Sequence, residues 1–180
     1  MQGDRVCLYL PMTPYAVYSM LACARIGAVH SVVFAGFSAT ALRDRIINCG
    51  CTAVITADEG LRGGKRIPLK TTVDSALEEC PDVTTVLVQQ RTGANVPMGP
   101  LDIPLEEAMA NASAECAPVP VGSEDPLFLL YTSGSTGLPK GIPLSQSMWA
   151  SRVGVVGPRG VLTAATYVIV ILGLRGIDTQ

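Results

Sequence analysis

Residues 132–141 read Thr-Ser-Gly-Ser-Thr-Gly-Leu-Pro-Lys-Gly and follow directly on an apolar run, Leu127-Phe-Leu-Leu-Tyr131. Such a run has the character of a central strand, and a Gly-rich loop behind a buried strand can aim its backbone N–H groups at phosphate oxygens. Gly134 and Gly137 supply the backbone freedom and close approach this needs. Thr132, Ser133, Ser135 and Thr136 add hydroxyl donors, and Lys140 adds a positive charge. The pattern is not a Walker A loop. Pro139 precedes the lysine and Gly141 follows it, where that loop needs Gly before and Ser or Thr after. The chemistry indicated is the holding of a phosphate chain, by a loop that Ser133–Lys140 should form at the carboxyl edge of a parallel sheet.

Other reactive side chains are weaker candidates. Arg62-Gly-Gly-Lys-Arg66 sets three cations around two glycines, which on composition alone is a solvated basic turn. Asp58 and Glu59 lie beside it in sequence and would balance its charge, not act as an acid–base pair. His30 is the chain's single histidine, with no Ser or Cys nucleophile nearby, and reads as a structural residue at a strand start. Cys49-Gly-Cys51 lacks the usual C-x-x-C spacing, so no metal site is assigned.

The elements that must position these residues alternate along the chain. Strands are expected over 5–10, 30–34, 52–56, 84–88 and 127–132, and helices between them. Val17, Met20, Leu21 and Ala24 form one helical stripe, and Val73, Ala76, Leu77 and Cys80 another. Ser38 is placed to cap a helix over 39–48 that stops at Gly50. Uniformly apolar strands alternating with helices predict an α/β fold: a doubly wound, mostly parallel sheet with flanking helices. Residues 57–66 read as a polar loop. Residues 89–125 read as a surface connection with a short helix around 105–112.

The chain has 180 residues, 48% hydrophobic and 16% charged. That suits one packed domain and excludes a disordered polar chain. A net charge of −2 offers no basic excess for nucleic acid or an anionic membrane. Six cysteines and no secretory signal point to reduced core thiols. The apolar run from Val161 to Leu174 is shorter than the ~20 residues of a membrane span.

The string at 132–141 resembles the signature loop of the adenylate-forming, or AMP-binding, enzymes. Within them the chain is similar to the acetyl-CoA synthetases, through Gly3-Asp-Arg-Val6, Met20-Leu-Ala-Cys-Ala-Arg-Ile-Gly-Ala-Val-His30, Val33-Phe-Ala-Gly-Phe-Ser38, Ile55-Thr-Ala-Asp-Glu-Gly-Leu-Arg-Gly-Gly64 and Glu124-Asp-Pro-Leu-Phe128. The linker, with Met98-Gly-Pro-Leu-Asp-Ile-Pro-Leu105 and Glu115-Cys-Ala-Pro118, resembles the vertebrate mitochondrial form. The resemblance covers residues 3–142. It implies part of the N-terminal domain of such an enzyme over 3–142, with 143–180 a divergent tail.

The resemblance implies a two-step reaction. Acetate attacks the α-phosphate of ATP with Mg²⁺ present, and the CoA thiol then displaces AMP from acetyl-adenylate. Thr132, Ser133, Gly134, Ser135, Thr136, Gly137 and Lys140 would hold the pyrophosphate part of ATP. Gly36, Arg62, Gly63, Gly64 and Lys65 would take the nucleotide end of CoA. Lys65 stands where many relatives carry Arg, which keeps the charge and loses the planar fork. No catalytic residue and no metal ligand is identified in the chain. A fragment of an acetate–CoA ligase, inactive on its own, is the expectation. A propionyl-CoA or other short-chain acyl-CoA synthetase fragment, and a non-catalytic nucleotide- or CoA-binding remnant, stay open beside it. The expected partners are small molecules, without nucleic acid or membrane, and the location is the mitochondrial matrix by resemblance, otherwise the cytoplasm.

Overall fold

A computed structural model describes residues 2–132 and 140–148. In chain order these form β1 (Arg5–Tyr9), α1 (Pro14–Arg25), β2 (Val29–Val32), α2 (Ala39–Cys49), β3 (Ala53–Ala57), β4 (Gly60–Arg62), β5 (Lys65–Ile67), α3 (Leu69–Leu77), β6 (Thr85–Gln89), β7 (Asp102–Pro104), α4 (Leu105–Ala110), β8 (Pro126–Thr132) and β9 (Lys140–Ser145). Seven strands make one sheet in the order β7-β6-β3-β1-β2-β8-β9. Every neighbouring pair is parallel except β8–β9. The expected mostly parallel α/β sheet is therefore present.

The helix boundaries follow from local chemistry. Pro14 opens α1, where its missing N–H costs nothing. Ser38 caps α2 by accepting a hydrogen bond from the Ala41 N–H at 3.3 Å, and Gly50 closes it in the left-handed conformation, φ 67°. Because β2 lies on one side of β1 and β3 on the other, right-handed crossovers put α1 on one face of the sheet and α2 and α3 on the opposite face. Arg43 of α2 accordingly donates to Glu79, just past α3, at 2.6 Å. The core runs from Cys7, Leu8 and Tyr9 of β1 through Met20, Leu42, Ile46, Val54, Val73 and Val86. Cys7, Cys23, Cys49, Cys51 and Cys80 are buried free thiols, and Cys116 is an exposed one. Cys49 hydrogen-bonds to Cys51, which with burial raises its pKa. At Cys51 the bond to Cys49 lowers the pKa, but the bond to Cys7 and burial outweigh it. Neutral, unreactive thiols result.

Three sequence expectations change. Residues 57–66 are not simply a polar loop: β4 and β5 form an antiparallel hairpin in which Arg62 pairs with Lys65. Gly63 and Gly64 have φ 54° and 73°, the positive angles that a tight two-residue turn demands at both central positions. Strands of three residues fall below what hydrophobic alternation can reveal. The connection over 89–125 contributes β7, an edge strand parallel to β6, where Lys70 of α3 holds Asp102 at 2.8 Å. Lys140, expected in a loop, is the first residue of β9. It is exposed and stands opposite Thr132. Residues 133–139, on which the rest of that loop expectation falls, lie outside the described residues. Strand β9 runs through position 142, the expected end of the domain.

His30, expected as a structural residue at a strand start, is buried as the second residue of β2. It stacks on Phe128 across the β2–β8 pair, with ring centroids 5.5 Å apart. Burial lowers its pKa to about 4. The unfolded chain, with a histidine near its ordinary value, therefore takes up a proton that the folded one refuses. Stability should fall as pH drops from about 6.5 to 4, by about 3 kcal/mol in all. Urea unfolding across that window should show the slope in the parent chain, and His30→Phe should flatten it. An unchanged slope in the variant would assign the effect to other groups.

Candidate functional site

The carboxyl ends of the parallel strands meet at one edge of the sheet. The chain leaves β2 through Phe34, Ala35 and Gly36, and leaves β3 into the β4–β5 hairpin. Strand β1 lies between β2 and β3 and ends at Tyr9. The Tyr9 side chain is fully buried. Its hydroxyl donates to the Phe37 carbonyl at 2.8 Å and accepts from the Gly36 N–H at 3.2 Å. Burial raises its pKa, so the phenol stays protonated and can serve as both donor and acceptor.

Gly36 itself has φ 136°, a backbone conformation closed to other residues without strain. A Cβ there would lie 3.4 Å from the Phe34 ring and 3.9 Å from Nη1 of Arg62. Gly36 and Arg62, 26 positions apart in sequence, are thus neighbours, as expected. The Arg62 guanidinium lies over the Phe34 ring, 5.1 Å from its centroid, and Phe34 meets Phe37 edge-on at 5.8 Å. Both rings are about 40% exposed, an unusual state for phenylalanine that leaves an apolar surface beside a cation. Around Gly63 and Gly64 a Cβ would meet nothing within 4 Å, so the hairpin tip is open.

Charge is distributed unevenly over the hairpin. Arg66 pairs with Glu59 at 2.7 Å, which partly fulfils the balancing role expected for that acid. Among the described residues, neither Arg62 nor Lys65 pairs with a carboxylate. Asp58 does something else. It is 1% exposed and accepts hydrogen bonds from the backbone N–H groups of Glu59, Arg91, Thr92 and Ala94. Burial by itself would raise its pKa, but those donors outweigh burial and hold the carboxyl below its ordinary value. It clamps the turn after β6 to the base of the hairpin. Its expected role in balancing the Arg62 cluster is corrected to that of a structural anchor.

The second part of the edge is the β8–β9 pair. Thr132 ends β8 and Lys140 begins β9, and both are exposed. The Tyr131 hydroxyl donates to Oδ1 of Asn48 at 2.8 Å, and burial raises its pKa to about 12. Gly141 explains why the string ends in glycine. A Cβ there would lie 3.0 Å from Cζ of Tyr131 and 3.2 Å from Oδ1 of Asn48, too close for any side chain without movement.

The edge therefore brings together Gly36, Arg62, Gly63, Gly64 and Lys65 at one corner, and Thr132 and Lys140 at another. Ser133, Gly134, Ser135, Thr136 and Gly137 lie outside the described residues. Sequence reasoning passed over Tyr9 and the exposed pair Phe34 and Phe37. A hydroxyl at the carboxyl end of an otherwise apolar strand was the available signal for Tyr9.

The chain is similar to known proteins. A family model described as AMP-binding enzyme matches residues 1–173. An acetyl-coenzyme A synthetase 2 of Pseudomonas aeruginosa is 61% identical over 142 residues, 78% of this chain and 22% of that protein. An acetyl-coenzyme A synthetase 2-like, mitochondrial protein of Homo sapiens is 58% identical over 146 residues, 81% of this chain and 21% of that protein. Among solved structures, an acetoacetyl-CoA synthetase from Streptomyces lividans matches with a TM-score of 0.72 and 36% identity, covering 81% of this chain and 22% of that one. The chain spans about a fifth of the length of these relatives. With a family model matching nearly its whole length, and an independent structural match to a CoA synthetase, the chain belongs to the AMP-binding enzyme family.

Proposed function

We propose that this chain is part of an acetate–CoA ligase, contributing one edge of the ATP site and one corner of the CoA site. The observation that carries the reading is the meeting of Gly36, Arg62 and Phe34 at the carboxyl edge of a parallel sheet, where α/β proteins gather ligands. A cation with no carboxylate partner among the described residues, beside two half-exposed rings, fits a nucleotide with phosphate groups, the chemistry of the nucleotide end of CoA. Lys65 adds a second cation at the adjacent hairpin position. Lys140 and Thr132 stand opposite each other on β9 and β8, and would meet the pyrophosphate part of ATP. Among the described residues no cluster of three His, Cys, Asp or Glu forms a metal cage. Mg²⁺ enters this reading as the companion of the ATP phosphates.

Acetate is favoured over a longer acid because the relatives named for acetyl-CoA are 55–61% identical, against 36% for the acetoacetyl-CoA synthetase. The relative named mitochondrial supports the mitochondrial matrix as the location. No helix of the described residues is long and apolar enough to cross a membrane. Small molecules are the partners in this reading.

Calorimetric titration tests it. Pyrophosphate should bind the parent chain, and Lys140→Ala should weaken it by about 1.5–3 kcal/mol, the value of a charge-assisted contact. Arg62→Ala combined with Lys65→Ala should weaken CoA more than pyrophosphate. Equal losses for both ligands would make the hairpin a structural element only, and no binding of either would overturn the reading.

A further inference from the structure

The two corners of the edge are joined by a residue on neither. Arg45, on α2, places its guanidinium 4.7 Å from the centroid of the Phe37 ring and 5.5 Å from that of Tyr131. Both distances are within the range of cation–π attraction. Nη1 of the same side chain donates to the Ala41 carbonyl at 2.6 Å, so the fork is anchored to its own helix. The Arg45 backbone carbonyl and the Asn48 side chain both accept from the Tyr131 hydroxyl, at 3.4 and 2.8 Å. Phe37 is the residue after Gly36, and Tyr131 lies beside Gly141, its register partner on β9. One guanidinium therefore bridges the Gly36–Phe37 turn and the β8–β9 pair. The series continues at the other end through Phe34 to Arg62.

We propose that Arg45 is a positioning residue that locks the Gly36–Phe37 turn to the β8–β9 pair and so sets the spacing between the Arg62 corner and Lys140. The functional half rests on the reading of those corners as CoA and pyrophosphate sites. The mechanical half rests on the geometry alone. Arginine is the residue suited to this task. Its planar, weakly hydrated fork can face one ring while its remaining N–H groups bond to backbone, which a lysine ammonium cannot do. A bland alternative is a surface arginine packed for stability, and the test must separate the two.

Hydrogen–deuterium exchange on the full 180-residue chain does so without any ligand. Arg45→Met keeps the apolar stem and removes the cation. It should speed exchange at the Gly36 and Phe37 amides and at the Tyr131 and Gly141 amides together, by about threefold or more, while Val54 and Val86 in the central strands keep their protection. Arg45→Lys should recover part of the effect. A rise on one side only, or a uniform rise that includes Val54, would overturn the proposal. Calorimetry with pyrophosphate and with CoA then addresses function. Both affinities should fall in Arg45→Met by about three- to tenfold, with the melting temperature nearly unchanged. A loss confined to one ligand would overturn the coupling of the corners. A parent chain that binds neither ligand would overturn the reading of the edge, with the exchange result still deciding whether Arg45 ties it together.

Discussion

Asp58→Ala should destabilise the chain by about 3–5 kcal/mol, because four backbone N–H groups lose a charged acceptor inside the fold. Asp58→Asn should cost nearly as much. Its amide oxygen can replace only some of the acceptor sites, and its NH₂ group would confront donors. The loss should be visible as a lower urea midpoint. The acid side of the stability curve checks the mechanism. The folded carboxyl titrates below its ordinary value, so its contribution is fully present above about pH 4 and disappears as pH falls through the folded value. Asp58→Ala should lack that acid-side loss, which falls below the window assigned to His30. The variant should also loosen the base of the β4–β5 hairpin, since Asp58 and Glu59 share Thr92 as a partner. If Asp58→Ala melted with the parent chain, the four donors would have to be satisfied elsewhere.

Lys70→Ala should cost about 3–5 kcal/mol, the penalty for stranding one member of a buried ion pair. Lys70 is 1% exposed and bonds to Asp74 one turn further along α3 and to Asp102 of β7, itself 5% exposed. Its removal leaves Asp102 charged and dry. Lys70→Met with Asp102→Leu should be less destabilising than either change alone, because it removes both charges together. Burial by itself would lower the Lys70 pKa, but the bonds to the two aspartates raise it further than burial lowers it. The stabilisation is then complete below the unfolded lysine value, about 10.4, and is lost as pH rises through the folded value. Urea unfolding of the single and double variants decides the matter. Additive losses would show that Lys70 and Asp102 are not coupled.

Sequence reasoning misread Asp58 and passed over Lys70 for the same reason. Asp58 follows an apolar strand and precedes three cations, so proximity along the chain suggested charge balance. Three of its four backbone donors lie more than 30 residues away, on the turn after β6. Lys70 opens a helix with an acid four residues on, a pattern of exposed surface pairs, yet the fold buries it against an edge strand inside what reads as a connection. Burial of a charge depends on what packs above it, and that is not a property of the local string.

The sequence by itself determined a great deal. Apolar runs and helical stripes located β1, β2, β3, β6 and β8 and the helices α1 to α3, because burial on both faces of a parallel sheet demands continuous apolar strands. The string at 132–141 and the flanking motifs were enough for the family. Only the tertiary structure decided the strand order, in which β1 separates β2 from β3 and so lets Tyr9 reach Gly36. It alone made the hairpin at 60–67, where strands of three residues carry too little pattern to read. It also decided the contacts of Arg45. An arginine on a helix is solvated by default, and this one becomes a bridge only when the sheet brings Phe37 and Tyr131, 94 positions apart, to either side of it. Periodicity records which face a residue presents. It does not record which residues will meet it there, because that follows from the long-range pairing of strands.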